Sequence, residues 1–355
     1  MAHLTVATIG LCLLTASAAT GQEDVDLVFA DYQQLAAKKI EYRQRNGKTQ
    51  SSYKELVANA DRAMGAGLVT VMQKTRVAPS HDPHDYLSLA PYWWPDPNKA
   101  NGLPYIRRDG RTNPTTRGNN VDYPAKQHLF DRVNALGMAA FYTEDPKYAQ
   151  QAVAQLEAWF VDPTTRMNPH LQYAQGVPGR NDGRCFGIIE WCNIDRLITP
   201  IQLLRVANAI PEPTDQAITE WFETYLQWLQ TSELGIQERD RLNNHGTWYD
   251  VQVAGILLFL GKRTEACEVL ESVKTNRIAT QIEPDGRQPQ ELARTKSLSY
   301  SKMNLNAFQT LARLGEKAGV DLWNYETPDG RSILKAQEFL APYVQGNKKW
   351  EYPQL

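Results

Sequence analysis

Apolar residues recur every three or four positions along most of the chain, which is the period of an amphipathic helix. The first two segments with this period, 24–45 and 51–74, are predicted to pair as a helical hairpin. Strand signals are sparse. Further helices are predicted at 124–142, 145–160, 187–209, 212–231, 247–260, 264–282, 299–317 and 330–343.

A long stretch without helical period, residues 75–123, interrupts this pattern. It is rich in Pro, Gly, Asn, Asp and aromatic residues, and an irregular segment of this length inside a compact domain is usually functional. A second such loop, 162–184, follows later in the chain. Together the two loops carry three adjacent aromatic residues and four notable arginines: Tyr92, Trp93, Trp94, Arg107, Arg108, Arg180 and Arg184.

The alternation of short turns and long loops between helices predicts an all-α fold of stacked helical hairpins. Closed into a ring, such hairpins form an α/α barrel, or toroid, with the long loops at one end, and we expect about six to seven hairpins. At 355 residues, with apolar content near the usual figure, the chain is long enough for a sizeable core. We predict a single domain over residues 20–355.

The N-terminal residues differ from the rest of the chain. Leu4–Leu14 is an apolar run without charge, and Ala16-Ser17-Ala18 has the small-residue pattern of a signal-peptidase site. The run is too short to span a bilayer. We therefore predict a secretory signal over residues 1–19, and a secreted or periplasmic protein that has no membrane attachment after cleavage.

Net charge and ligand spacing limit the range of partners. The formal charge of −2 provides no global field for a polyanion, so affinity for an anionic polymer has to come from a local patch. No nucleic-acid partner is predicted. The run His81-Asp82-Pro83-His84-Asp85 fits no familiar metal site, and we predict neither a metal nor another cofactor.

A polar stretch leads into the most apolar of the predicted helices. Residues 243–249, Asn-Asn-His-Gly-Thr-Trp-Tyr, precede the segment 250–260, which is apolar nearly all round, as in a helix inside a large core. Two interpretations stay open from these residues alone. The stretch is either a polar site on an aromatic floor, or an N-cap at Asn243 or Asn244 followed by a hydrogen-bonded core histidine, His245.

A second polar cluster lies between residues 283 and 304. Its Arg294 and Tyr300 are six positions apart, which on one continuous helix would place them on roughly opposite faces. They can cooperate only across a bend, and an N-cap at Ser299 or Ser301 would supply one. The alternative is a buried tyrosine with an unrelated surface arginine.

Short motifs follow one another between Pro91 and Leu311. They are Pro91-Tyr-Trp-Trp-Pro-Asp-Pro97, Gly102-Leu-Pro-Tyr105, Arg108-Asp-Gly110, Asn113-Pro114, Gly187-Ile-Ile-Glu-Trp191, Asn243-Asn-His-Gly246 and Arg294-Thr-Lys-Ser-Leu-Ser-Tyr-Ser301. In type and order they resemble the signature of the alginate lyase superfamily of α/α-barrel polysaccharide lyases. Members of that family degrade β-1,4-linked polyuronates such as polymannuronate or glucuronan by β-elimination. The resemblance implies an anionic polysaccharide as the partner and, as catalytic residues, Asn244, His245, Arg294 and Tyr300.

The chemistry of β-elimination explains why these residue types would be needed. The C5 proton leaves next to a carboxylate, so Asn244, Arg294 and His245 would hold that carboxylate and stabilise the enolate-like intermediate. In mannuronate and glucuronate H5 and O4 lie on the same face of the ring, and Tyr300 could take the proton and give one to O4. Arg294 nearby is expected to lower the pKa of this tyrosine. In guluronate the two atoms lie on opposite faces, and His245 could be the base.

Aromatic and arginine side chains near the motifs are the predicted sugar contacts. Aromatic rings can stack on sugar rings, although such residues are as often core, and guanidinium groups match carboxylates bidentately. The predicted substrate-binding residues are Tyr92, Trp93, Trp94, Arg107, Arg108, Arg180, Arg184, Trp191, Trp248 and Tyr249.

Two rival functions remain to be weighed against a lyase. A hydrolase on the same scaffold would need two carboxylates across the scissile bond, and nothing in the sequence pairs the available Glu190, Asp250 and Asp182. A non-catalytic uronan-binding protein would keep an aromatic and arginine-lined groove. Such a protein would have no need for Tyr300 near the leaving oxygen, so the lyase is the leading hypothesis.

Overall fold

The computed structural model describes residues 25–355 except 45, 46, 48 and 49. The predicted signal peptide, residues 1–19, lies outside the described residues. Helices make up most of the described chain, so the prediction of an all-α fold is confirmed. The helices are α1 (Tyr32–Arg43), α2 (Ser51–Gly65), α3 (Tyr123–Thr143), α4 (Pro146–Leu156), α5 (Asp195–Val206), α6 (Glu212–Thr231), α7 (Glu233–Arg239), α8 (Asn244–Phe259), α9 (Arg263–Val273), α10 (Ala279–Gln281), α11 (Pro289–Leu292), α12 (Ser297–Ala318) and α13 (Ile333–Val344).

Most predicted helices lie within a few residues of their predicted bounds, and α6 matches its prediction at both ends. The segment predicted at 51–74 ends earlier, because α2 stops at Gly65 and Gly67 takes φ +71°, a left-handed conformation that favours glycine. The segment predicted at 187–209 is interrupted: a 3₁₀ turn, Cys185–Trp191, precedes α5. Two short helices, α7 and α11, were not predicted. No helix in the described part of the chain is long and apolar enough to cross a membrane.

Helix α8 lies in the core, as its apolar sequence predicts. It packs against α6, α7, α9 and α12, and every residue from Asp250 to Leu257 is buried. A helix surrounded on all sides can be apolar on all sides. Its N-terminal residues are thereby held in a fixed position near the long loops.

Two small sheets organise the long loops. Strand β1 (Leu87–Leu89) pairs in parallel with β4 (Tyr173–Gly176), which joins the loop 75–123 to the loop 162–184. Strands β2 (Trp93–Trp94) and β3 (Ile106–Arg107) pair in antiparallel fashion, with Trp93 opposite Arg107. The sheets therefore bring the predicted aromatic and arginine residues of both loops into one region.

The buried Asp85 links the loops 75–123 and 162–184 at a second position, away from the sheets. Asp85 accepts hydrogen bonds from Asn168 at 2.7 Å and Ser80 at 2.5 Å, and it lies 3.0 Å from His170 Nε2. Burial by itself would raise the pKa of Asp85, but these partners outweigh it and lower the pKa to about 2. The run 81–85 therefore joins two loops through hydrogen bonds.

We expect Asp85→Asn to lower the free energy of unfolding at pH 7 by about 2 kcal/mol, since an amide cannot replace a carboxylate that accepts from several donors. Asp85 stabilises the fold above its ordinary pKa of 3.8, and this contribution is lost as the pH falls towards about 2. The difference in the free energy of unfolding between wild type and variant, measured by urea denaturation, should therefore become smaller below pH 4. Asp285→Asn, which breaks an exposed pair with Arg287, is the control and should change stability by less than about 1 kcal/mol. Equal effects of the two variants would contradict this role.

Candidate active site

Asn243 and Asn244, which are adjacent at the N-terminus of α8, make different contacts. Asn243 is the N-cap, and its side-chain oxygen accepts from the His245 N–H at 3.2 Å. Asn244 is fully buried and donates to Glu291: its backbone N–H lies 2.6 Å from Oε1, and its Nδ2 lies 3.0 and 2.8 Å from the two carboxylate oxygens. Asn243 is thus the structural residue, and Asn244 is the one attached to the second polar cluster.

His245 is neither a fully buried core residue nor a free surface residue. Its side chain is 11% exposed, and its Nδ1 lies 2.6 Å from Oε1 of Glu238, which is completely buried. Its ring packs edge-on against Phe186 at a centroid distance of 4.7 Å. One edge of the imidazole is therefore fixed from inside the protein, and the ring is still partly accessible.

Arg294 and Tyr300 are brought together by a bend between α11 and α12. Arg294 Nη2 donates to the Tyr300 hydroxyl at 2.8 Å, and its guanidinium carbon lies 3.8 Å from the centre of the phenol ring. The bend differs from the predicted one. The N-cap of α12 is Lys296, without a side-chain capping bond, so the prediction of a cap at Ser299 or Ser301 is wrong.

Asp109, in the loop 75–123, binds the guanidinium of Arg294. Its carboxylate accepts from Arg294 Nη2 at 3.0 Å and Nε at 3.3 Å, and from the Thr295 hydroxyl at 2.9 Å. Burial would raise the pKa of Asp109, but the bonds from Arg294 and Thr295 outweigh it and hold the pKa well below its usual range. Asp109 is therefore a carboxylate that anchors the guanidinium, and it belongs to the Arg108-Asp-Gly110 motif.

The Tyr300 hydroxyl has a second partner, the Tyr92 hydroxyl, at 2.8 Å. Burial is the largest influence on the pKa of Tyr300 and raises it, the contact with Tyr92 raises it further, and Arg294 lowers it. The net pKa is well above its usual value. Arg294 therefore lowers this pKa as expected, but burial and the contact with Tyr92 exceed the effect of the guanidinium.

Glu291 connects the two polar clusters. It receives the Asn244 bonds, and its backbone carbonyl accepts from the Arg294 N–H at 3.1 Å. Burial raises the pKa of Glu291, while the bonds from Asn244 lower it. The four side chains predicted as catalytic thus lie on two neighbouring segments that share one buried carboxylate.

The C-terminal residues 350–355 support the bend that carries Arg294 and Tyr300. Ser297 N–H donates to the Pro353 carbonyl at 3.0 Å, and Leu355 N–H donates to the Thr295 carbonyl at 2.8 Å. Trp350 Nε1 also donates to the Ser297 hydroxyl at 2.8 Å. These hydrogen bonds fix the backbone at Thr295 and Ser297, between Arg294 and Tyr300.

We expect deletion of residues 353–355 to lower the kcat of the predicted polymer cleavage by about 10-fold or more, because small displacements of catalytic groups are costly. KM should change less, since the predicted sugar contacts lie on other loops. Steady-state kinetics on the truncated protein, with its fold verified by circular dichroism, would test this. Gln354→Ala removes only side-chain bonds to Leu298 and Ser299 and is the milder control. An unchanged kcat in a folded truncated protein would contradict the supporting role.

Most of the predicted sugar contacts lie around Trp93 and Trp94. The guanidinium carbons of Arg180 and Arg184 lie 5.0 and 5.9 Å from the Trp93 ring, and that of Arg108 lies 5.3 Å from the Trp94 ring. These side chains form a cationic and aromatic surface. Arg107 is 55% exposed and pairs with Asp109 at 2.6 Å, so it joins this surface to the Arg294 anchor.

Arg184 is the most constrained of these arginines. It donates from Nε to the Gln175 carbonyl at 3.0 Å and from Nη2 to the Gln175 side chain at 2.8 Å, and it also lies 4.9 Å from the centre of Phe186. Burial lowers the pKa of Arg184 to about 10, at which the group still carries its charge at neutral pH. Because Phe186 also contacts His245, Arg184 lies next to the predicted catalytic residues.

Three predicted aromatic contacts lie elsewhere. Trp191 is completely buried and stacks on Trp221 at a centroid distance of 5.6 Å, which leaves no face for a sugar. Tyr249 is buried, donates to the Leu229 carbonyl at 3.0 Å and borders a separate cavity of about 460 Å³. Trp248 borders a different cavity of about 280 Å³ that contains none of the four predicted catalytic residues. The core alternative applies to Trp191 and Tyr249.

Two of the carboxylates considered for a hydrolase, Glu190 and Asp250, are bound to structural partners. Glu190 accepts from Tyr86 and Ser88 at 2.8 and 2.7 Å, and Asp250 accepts from Arg277 at 2.7 Å. Both are buried, and each is held by its own structural partners. Among the described residues, no group of three or more His, Cys, Asp and Glu side chains is placed to hold a metal ion.

Comparisons with known proteins identify similar chains. A family model described as alginate lyase matches residues 70–350. The crystal structure of an alginate lyase from Bacteroides ovatus is 37% identical and matches with a TM-score of 0.88, covering 93% of this chain and 87% of that chain. A variant of alginate lyase A1-III complexed with a tetrasaccharide is 17% identical with a TM-score of 0.59, covering 92% and 80%, and indicates the fold alone. No curated protein matched.

Proposed function

This chain belongs to the alginate lyase family and is a polysaccharide lyase, and on that premise we propose that it cleaves a β-1,4-linked polyuronate by β-elimination. The observation that carries the proposal is the contact between Tyr300 and Arg294. A hydroxyl that can exchange a proton lies 2.8 Å from a guanidinium that can hold a carboxylate. Elimination from a uronate needs these two functions side by side, because the proton leaves the carbon that bears the carboxylate.

The proposed roles follow from the surroundings of each group. Arg294 and His245 hold the substrate carboxylate and stabilise the enolate-like intermediate formed when the C5–H bond breaks. Asn244, which is buried and donates to Glu291, holds the start of α8 in place behind them. Because its pKa is raised, Tyr300 holds its proton in the resting protein and must first lose it to solvent. The phenolate then takes the C5 proton and gives a proton to O4 as the C4–O4 bond breaks, which regenerates the phenolate and leaves a C4–C5 double bond. The guanidinium of Arg294, 2.8 Å away, stabilises that phenolate by donating to its oxygen, in line with its lowering effect on the pKa of Tyr300.

The substrate we propose is glucuronan or a polymannuronate such as that in alginate. In both polymers H5 and O4 lie on one face of the ring, so a single tyrosine can serve both atoms. The cationic surface around Trp93 and Trp94 supports an anionic chain, because Arg108, Arg180 and Arg184 can each receive a carboxylate of a neighbouring sugar.

We propose further that residues 1–19 are a signal peptide and that residues 20–355 form one domain in which the helical hairpins close into an α/α barrel. Such a protein would meet its polymer outside the cytoplasm, in the periplasm or the medium. N-terminal sequencing of the exported protein tests the first part. An experimental structure tests ring closure.

An ultraviolet time course tests the activity. Purified mature protein would be incubated, with chelator present, on glucuronan, polymannuronate, polyguluronate and a hyaluronan control. Elimination leaves a double bond conjugated to the carboxylate, which absorbs, whereas hydrolysis does not. Rising absorbance on glucuronan or polymannuronate is the expected result. New reducing ends without absorbance would indicate a hydrolase, and neither signal on any of the four polymers would contradict the proposed substrates.

A further inference from the structure

A fully buried carboxylate, Glu238, lies behind the predicted catalytic histidine. Its Oε1 is 2.6 Å from His245 Nδ1, and in the described residues its Oε2 is buried without a hydrogen-bond partner. A carboxylate without protein donors on its second oxygen is costly to bury, so its presence calls for a role. The bond to His245 is the polar contact through which such a role can act.

The backbone between Glu238 and His245 is fixed by a buried ion pair. Arg277 donates to the carbonyls of Arg239 and Arg241, at 2.6 and 3.0 Å, and to Asp250 at 2.7 Å. A side chain at Gly246 would bring a Cβ within 2.7 Å of the Arg277 guanidinium and 2.1 Å of the Arg241 carbonyl, so only glycine fits there. The distance between the carboxylate on α7 and the imidazole on α8 is therefore set by the fold.

We propose that Glu238 is a positioning residue that fixes the tautomer and orientation of His245. A carboxylate accepts hydrogen bonds and does not donate them, so the hydrogen in the bond belongs to Nδ1. Nε2 is then the nitrogen presented to the substrate. Phe186 packs edge-on against the ring at a centroid distance of 4.7 Å and adds a second contact that favours this orientation.

The consequence for the reaction deepens the proposed function and rests on it. An imidazole with hydrogen on Nδ1 offers Nε2 to the sugar in one fixed direction, whether it contacts the carboxylate or takes a proton. Loss of Glu238 would allow the other tautomer and a different ring orientation. The reaction rate should then suffer more than polymer binding, since the sugar contacts on the long loops are unchanged.

Nitrogen-15 NMR of histidine-labelled protein tests the positioning independently of any substrate. The chain has six histidines, and the His245 signals are those absent from His245→Asn. In the wild-type protein we expect Nδ1 to carry the hydrogen in the neutral ring, and in Glu238→Gln we expect a mixture of tautomers. Asp85→Asn, which alters a second histidine–carboxylate contact, at His170, is the matched control and should leave the His245 signals in place. A wild-type His245 with its hydrogen on Nε2 would overturn the proposal without need of a variant.

Steady-state kinetics on the cleaved polymer provide a second test of the role of Glu238. We expect Glu238→Gln to lower kcat about 100-fold while KM stays within about 3-fold, because an orienting carboxylate acts on the reacting group rather than on binding. An unchanged kcat in a folded variant would overturn the proposal. If no polymer is cleaved by the wild type, the proposed function fails, and the NMR result still decides the role of Glu238.

Discussion

Replacing Tyr300 by phenylalanine is expected to lower kcat by at least about 10³-fold, since the residue is proposed to act both on the C5 proton and on O4. Binding of the polymer should stay within about 3-fold, because the phenyl ring keeps the contact of Tyr300 with the Arg294 guanidinium. The lost group is one hydroxyl, which accepts from Arg294 at 2.8 Å. Ultraviolet assays for kcat and isothermal titration with polymer fragments for affinity would measure the two effects separately.

Tyr92→Phe is the matched comparison for this variant. It removes the other hydroxyl of the same hydrogen bond but leaves the Arg294 contact of Tyr300 intact. We expect a loss in kcat of about 10-fold, because the Tyr300 oxygen loses one of the two hydrogen-bond partners that fix its position. If Tyr300→Phe kept a kcat near that of the wild type, or if both variants lost activity equally, the separate role of Tyr300 would be wrong.

The sequence predicts the parts of the fold and site that depend on local pattern. The apolar period identifies most of the helices, and the segment after residue 249, which is apolar nearly all round, correctly predicts a buried α8. The same segment locates Asn244 and His245 at a helix start inside the protein. That Arg294 and Tyr300 need a bend to meet also follows from their spacing, although Lys296, rather than a serine, is the cap.

The residues that contact the predicted catalytic side chains could not be predicted from local sequence pattern. Glu238 lies on α7, a helix of seven residues that is too short to show a period, although Ser232 before it is a cap signal that could have found it. Asp109 contacts Arg294 across 185 positions of sequence, and no local pattern reports such a contact. For Trp191, residue type alone cannot distinguish a sugar platform from a core ring, and burial decides for the core.

Replacing Arg294 by lysine is expected to lower kcat by roughly 10²- to 10³-fold, the effect of losing one well-placed electrostatic stabiliser. The charge is kept, but the planar fork that contacts Asp109 through two nitrogens, at 3.0 and 3.3 Å, is lost. A lysine ammonium has three donors on one nitrogen and can contact both Asp109 and Tyr300, but it lacks the second nitrogen that fixes the plane of the group against the Asp109 carboxylate. Steady-state kinetics on the cleaved polymer would measure the loss, and urea denaturation would show how much of it is instability.

Arg107→Lys separates this role from a simple need for positive charge beside Asp109. Both arginines contact Asp109, but the Arg107 side chain is 55% exposed while that of Arg294 is 18% exposed. An exposed pair contributes little, so Arg107→Lys should change kcat by less than about 3-fold. If the two substitutions lowered kcat alike, the charge of the loop would be the important factor. If only Arg294→Lys did so, the rate would depend on a guanidinium held by Asp109 against the Tyr300 hydroxyl, which is the arrangement that elimination next to a carboxylate requires.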